Sequence, residues 1–327
     1  MPTTTSSADK RQTLIVLLAF AAIYVLWGTT YLAIRVAVET IPPFFMAGVR
    51  FLLAGGILLA ALRLRGVKMP TRPQWRSAAV IGAFLLLGGN GLVTWSEQKI
   101  PSGTAALVVA TVPLWMTAFD WLLYRRTTPA RKVLLGLLLG SLGIGLLVGP
   151  GLDTGQAAIL WSDWAIILLA PVLWSIGSLH SRQANLPENA FLATALEMLT
   201  GGALLLLAGF LTGEAARLDL ATISTRSLLA TFYLIFLGSI VAFTAYIWLL
   251  KTVEAAKVAT YTYVNPIIAV GLGWLLLNET VTPQMLLAVV VIITGVIFIT
   301  KRQSQARRQP EPPSLPEAIP CESPSTP

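Results

Sequence analysis

Apolar residues in this chain do not alternate with polar ones as they do on a surface helix or a half-buried strand; they run in blocks. Stretches of about 17–25 apolar residues, the length at which a helix crosses a bilayer, recur ten times. They cover 14–34, 43–62, 75–95, 102–123, 133–149, 164–180, 190–211, 227–250, 255–277 and 283–300. The links between them are short, and none could hold a separate soluble domain. The pattern predicts an all-α membrane protein of ten transmembrane helices. Residues 1–13 form a polar N-terminal segment, and 301–327, with seven prolines, is expected to be a disordered tail.

Composition narrows the picture in one respect. The chain is 55% hydrophobic and 12% charged, against about 25% charged in a typical soluble domain, too little to clothe a soluble surface of this size. The polar start MPTTTSSADKRQ followed by an apolar run resembles a signal peptide, but 14–34 is longer than a usual signal core. It is read as a retained first span.

Charge then sets the orientation. Of the 23 lysines and arginines, 18 fall at the N-terminus, in the 63–76 and 125–132 links, at Arg182, Lys251 and Lys257, or in the tail. Four fall on the other side, at Arg35, Lys99, Arg217 and Arg226, and Arg50 lies inside a span. Basic residues favour the cytoplasmic face, so both termini are expected to be cytoplasmic. The net charge of +8 is thereby a topology signal, and no nucleic-acid partner is implied.

The two halves repeat each other. Val25-Leu26-Trp27-Gly28 is echoed by Val172-Leu173-Trp174-Ser175, 147 residues on; Trp95 and Pro113 match Trp248 and Pro266 at 153, and Gly143 matches Gly295 at 152. Because five spans is an odd number, the second copy must enter the membrane from the opposite side. The expected domains are therefore a first five-helix repeat, 14–150, and a second, inverted one, 151–300. Inverted repeats of this kind characterise transporters that rock about a midplane site.

The stretch LWGTTYLAIRVAVETIPPFFMAGVRFLLAG (26–55) is similar to the EamA pattern of the drug/metabolite transporter superfamily, and KVATYTYVNPIIAVGLGWLLLNETVTP (257–283) resembles that family's second-half signature. The likeness spans about 14–300 and is nearest to the bacterial inner-membrane branch exporting amino acids, other metabolites or drugs. It implies ten helices in two inverted five-helix repeats around a central cavity. One departure stands out: the fourth span ends Tyr124-Arg125-Arg126 where the family often has Gly-Glu, as the ninth does here at Asn278-Glu279.

Candidate site residues are the polar and aromatic groups inside spans. Arg50 lies in the otherwise uncharged FMAGVRFLLAGG (45–56), although an arginine at mid-bilayer costs ~2.5–3.5 kcal/mol on insertion scales. Two roles are open to it: an internal partner that locks helices, or a cavity charge that receives a carboxylate. Glu197 sits nearly at the corresponding place in span seven, as partner of Arg50, proton carrier or counter-charge to a substrate amine. Trp27 and Tyr31 share one helix face, as do Trp174 and Ser178, and as do Tyr261 and Asn265; each pair suits a cavity wall or plain helix packing. Asn90, beside small residues, is a hydrogen-bonding candidate, and Pro113 and Pro266 are expected to kink their spans. Asp120 is expected to pair with the neighbouring arginines. His180, the one histidine, reads as a solvated helix end, and the lone Cys321 lies in the tail.

No phosphate-binding GxxxxGK[ST] loop is present, and neither cofactor nor metal is expected. The leading expectation is a secondary transporter exporting small metabolites by alternating access, in the bacterial inner membrane. Its partners are a small-molecule substrate and the bilayer, with proton coupling possible and a monomer or homodimer as the assembly. The alternatives are an importer or exchanger of the same superfamily, or an integral-membrane enzyme, against which the scarcity of His, Cys and paired intramembrane carboxylates argues.

Overall fold

The computed structural model describes residues 7–125, 131–148, 159–253, 258 and 260–308. Among these residues there are helices and connecting turns but no strands. Eight helices are long and apolar enough to cross a membrane: α1 (Ser7–Ala37), α2 (Pro43–Leu64), α3 (Arg72–Ser96), α4 (Ser102–Leu122), α5 (Arg131–Val148), α6 (Trp161–Ser181), α7 (Ala190–Leu211) and α8 (Thr225–Tyr246). Two further apolar helices have shorter runs: α9 (Tyr261–Leu277), and the stretch Pro283–Phe298 within α10 (Pro283–Arg308). A one-turn helix, Glu214–Arg217, lies between α7 and α8. The helix of α10 runs eight residues past the boundary expected at 300. The rest of the tail, the 150/151 repeat boundary, Gly149, Arg126 and most of the 251–257 link lie outside the described residues.

Local sequence explains several ends. Pro43 opens α2 and Pro283 opens α10, where a missing N–H costs nothing. The Asn189 side chain accepts hydrogen bonds from Phe191 N (3.0 Å) and Leu192 N (3.3 Å) at the start of α7. Asn278 ends α9 in the left-handed conformation, with φ 53°, as helix C-termini commonly do.

Helix pairing follows the small residues. α2 packs along α7 and α5 along α10. A Cβ added at Gly202 would meet Leu52 N at 2.9 Å, and one at Gly295 would meet Gly136 O at 2.7 Å. At both places backbone meets backbone, a contact only glycine permits. The remaining contacts pair up between the halves: α1 lies against α8 and α9, as α6 lies against α3 and α4, and α3 reaches α7 as α8 reaches α2. Large apolar side chains such as Leu17, Leu138, Leu207, Phe232, Trp274 and Leu286 point outward, each more than half exposed. A soluble protein rarely shows so much apolar surface, whereas a bilayer accepts it.

Candidate substrate cavity

Seven helices converge on one cavity holding about 910 Å³ of non-atom space, its open mouth included. Its wall combines Trp27, Thr30, Tyr31 and Ile34 of α1 with Arg50 and Phe51 of α2, and Gly89, Asn90 and Val93 of α3. From the other side come Val112 of α4, Ala170, Pro171 and Trp174 of α6, Phe243 of α8, and Tyr261, Thr262, Asn265 and Pro266 of α9. Helices α5, α7 and α10 contribute nothing to it.

Two irregular helix segments shape this wall. Ala83–Gly91 of α3 and Leu234–Val241 of α8 widen into π-type turns, a departure found mostly where helices carry function. Each receives a tryptophan from the opposite half. Trp27 Nε1 donates to Gly238 O at 3.2 Å. The Trp174 ring lies over Gly89, where an added Cβ would come within 2.7 Å of it. The glycines are therefore seats for the indoles, and the glycine runs GGNG (88–91) and LGS (237–239) were the available signal.

Around Trp27 an aromatic cluster closes, with ring centroids 5.3 Å to Phe243, 5.1 Å to Tyr246 and 5.0 Å to Tyr261. These tilted and edge-on distances are favourable. Tyr24 Oη and Thr260 Oγ1 share a hydrogen bond of 2.5 Å. Asn265, with its amide nitrogen turned toward them, donates to the carbonyls of Tyr24 (3.1 Å) and Tyr261 (3.2 Å). It thus ties α1 to α9 while lining the cavity.

Arg50 is 3% exposed. Its Nε donates to Ser239 Oγ at 3.0 Å, its guanidinium lies 4.7 Å from the Phe51 ring centroid, and its Nη1 has no hydrogen-bond partner among the described residues. The guanidinium is anchored by one edge and leaves donor capacity unused at the cavity wall. A buried charge with an unused donor is what a bidentate carboxylate contact requires.

Of the residues singled out in the sequence, Trp27, Tyr31, Arg50, Asn90, Trp174, Tyr261, Asn265 and Pro266 come together on this one wall. Glu197, Ser178 and Pro113 are not among its lining residues. Ser178 Oγ donates to Trp174 O, one turn back in its own helix, at 2.7 Å. Pro113 follows a break at Ala110–Thr111 where α4 leaves the helical path and resumes at Val112, whereas Pro266 lies inside a continuous helix.

Glu197 and Arg50 do not meet, and the register of α2 on α7 explains why. Gly48 faces Leu206 and Gly55 faces Ala195, Met198 and Leu199, so Glu197 stands level with Gly55, about 7 Å along the axis from Arg50 at 1.5 Å per residue. The expected partners of Asp120 fall outside the description: Arg126 entirely, and Arg125 in its side chain.

The carboxylate that acts on Arg50 is Glu97, which the sequence reading passed over as part of a link. It is fully buried at the end of α3, and the Arg35 guanidinium donates to its carbonyl oxygen. Burial pushes its carboxyl well above the usual carboxylate range; Glu279 adds to this, and Arg35 and Arg50 oppose it. Glu279 itself accepts from Ser102 N (2.7 Å) and Gly103 N (3.2 Å), capping α4. Ser239, Pro171 and Phe243 were likewise missed, since nothing marks one residue of an apolar run as inward-facing. Among the described residues no three His, Cys, Asp or Glu side chains gather as a metal set.

A helical membrane protein whose helices frame one aromatic cavity with a buried guanidinium has the build of a membrane transporter. More narrowly, the chain belongs to the EamA-like transporter family, which matches it twice, over residues 13–149 and 161–301. It is 42% identical over 291 residues to an uncharacterized inner membrane transporter, YedA, of Escherichia coli K12, covering 89% of this chain and 92% of the relative. It is 28% identical over 291 residues to the uncharacterized transporter YvbV of Bacillus subtilis, covering 88% and 92%. A solved crystal structure, 21% identical, superposes with a TM-score of 0.60 over 92% of this chain and 99% of that one, a likeness of fold.

Proposed function

We propose that this protein is a secondary transporter of the bacterial inner membrane that exports small metabolites, amino acids or drug-like compounds, by alternating access. The observation that carries the reading is the buried Arg50, fixed by Ser239 on one edge and, among the described residues, unpartnered at Nη1 on a mostly aromatic and apolar wall. That chemistry suits a molecule with one carboxylate and an apolar or aromatic body. Ten spans in two inverted five-helix repeats fit the double family match, the paired helix contacts and the two tryptophans seated on wide turns of the opposite half. With both termini cytoplasmic, as the distribution of basic residues favours, the links at 38–42, 97–101 and 278–282 are periplasmic. Trp27, Tyr31, Asn90, Trp174, Tyr261 and Asn265 form the substrate wall. Glu197, on α7, serves the α2–α3–α7 packing and not the cavity.

The test is a competition screen in proteoliposomes over amino acids, purines and cationic drugs, with and without a proton gradient. Arg50→Ala is expected to reduce uptake of carboxylate-bearing compounds at least tenfold, with little effect on neutral or cationic ones. Uptake unchanged in that variant at normal protein abundance would remove Arg50 from the site.

A further inference from the structure

Five of the six buried side-chain N and O atoms without a hydrogen-bond partner among the described residues belong to four side chains near one another: Arg50 Nη1, Ser96 Oγ, both carboxyl oxygens of Glu97, and Ser102 Oγ. Native interiors leave few such groups, and each calls for a reason. Glu97 follows the cavity-lining Val93 by one helical turn, with Glu97 N donating to Val93 O at 3.0 Å, so it extends the same face of α3 just beyond the cavity. The charges that act on it come from every side: Arg35 of α1, Arg50 of α2 and Glu279 beyond α9. Tyr31 of α1 also feels its charge. Lys99 and Asp163, at the same end, are paired with each other at 3.0 Å.

Counting charge over this set gives two neutral arrangements. Two arginines balance two ionised glutamates when the cavity is empty. When a carboxylate occupies Arg50, the balance is restored by one proton on a glutamate. Glu279 is committed to two backbone N–H groups at the start of α4, a role that requires its charge. Glu97 is the carboxylate with both oxygens unengaged. We propose that Glu97 is a proton-binding site linked to the cavity through Arg50, taking up one proton as a carboxylate-bearing molecule binds and releasing it as that molecule leaves. Substrate and proton then move together, electroneutrally, down the substrate's own gradient. This rests on the carboxylate reading of Arg50 given above. Burial raises the proton affinity of this carboxyl and the two arginines lower it, opposed effects that suit a site which must both take up and release a proton.

The link can be tested without a known substrate, because Arg50→Gln neutralises the guanidinium as a bound carboxylate would. Infrared pH titration of the purified, lipid-reconstituted protein should show a protonated-carboxyl band in wild type that is missing in Glu97→Gln. Arg50→Gln should move the midpoint of that band up by roughly one pH unit or more, the usual effect of losing a nearby opposite charge. Arg50→Lys should restore it, and Glu279→Gln, which removes a like charge, should move it down. Shifts of opposite sign cannot come from general loosening, and a thermal melt in detergent checks that each variant is folded. A band that persists unchanged in Glu97→Gln, or a midpoint that ignores Arg50, overturns the proposal. Either result leaves the transport assay free to give its own answer.

Discussion

At the end of the bundle bearing the 38–42, 97–101 and 278–282 links, four acidic side chains are buried: Glu97, Asp163, Glu214 and Glu279. Three of them join the halves. Glu214 accepts from Phe44 N (3.3 Å) and Phe45 N (3.0 Å) at the start of α2, Glu279 caps α4, and Asp163 receives Lys99. At the opposite end, the contacts described within the 65–71 and 182–189 links are local. Thr71 N donates to Gln74 Oε1 at 2.9 Å, Arg63 to Val67 O at 3.2 Å, and Asn189 caps its own helix. Two halves with matching helix contacts therefore carry unlike chemistry at their two ends. One end is clamped by charges that cross between halves, whereas the contacts that cross near the other are uncharged, such as Tyr24 Oη with Thr260 Oγ1. For a carrier that opens its ends in turn, the clamped end must break several strong contacts, and the other few.

Breaking the clamp should show the difference directly. Glu279→Ala strands two N–H groups in a fully buried helix start and also empties the space against Gly273, where a Cβ would meet Glu279 Oε2. Charge-assisted bonds are worth about 1.5–3 kcal/mol each, so a loss of about 3 kcal/mol is expected in thermal denaturation of the purified protein. A melting temperature equal to wild type would mean that this end is not clamped. Glu214→Ala follows with about 2 kcal/mol, since its two bonds are longer; measured together with Glu279→Ala, the two losses should add, the sites being on different helix starts.

These contacts also mark where sequence reading stops. The apolar helices and seven of the nine proposed cavity side chains other than the two prolines follow from apolar blocks, spaced tryptophans and helical periodicity, all of them local patterns. Glu97 does not, because SEQK looks like any short polar link until α1, α2 and α4 close over it. Ser239 and Phe243 are invisible for a related reason: in a helix apolar on every side, only packing decides which face turns inward. Glu197 fails differently. Matching it to Arg50 by repeat position took no account of register, and the packing of α2 on α7 sets Glu197 level with Gly55 instead.

At the local end, Asn189→Ala should cost about 1 kcal/mol, the usual worth of an N-cap, and should leave the association of the halves unchanged. Cysteine cross-linking yield between α2 and α7, unaltered in this variant, would check the second point.

The smallest effect expected belongs to the clamp itself, and it separates burial from mere pairing. Asp163 is buried, but Lys99 is 45% exposed in its side chain, so water already competes for the ammonium. Asp163 Oδ2 also accepts from Leu160 N at 3.0 Å, a bond that asparagine can keep through its own oxygen. Asp163→Asn should therefore lose only the ion pair, below about 1 kcal/mol, and the loss should shrink further in high salt. A loss as large as that of Glu279→Ala would show that the clamp acts through charge pairing. A small, salt-sensitive one places its strength in the carboxylates that hold helix starts across the halves.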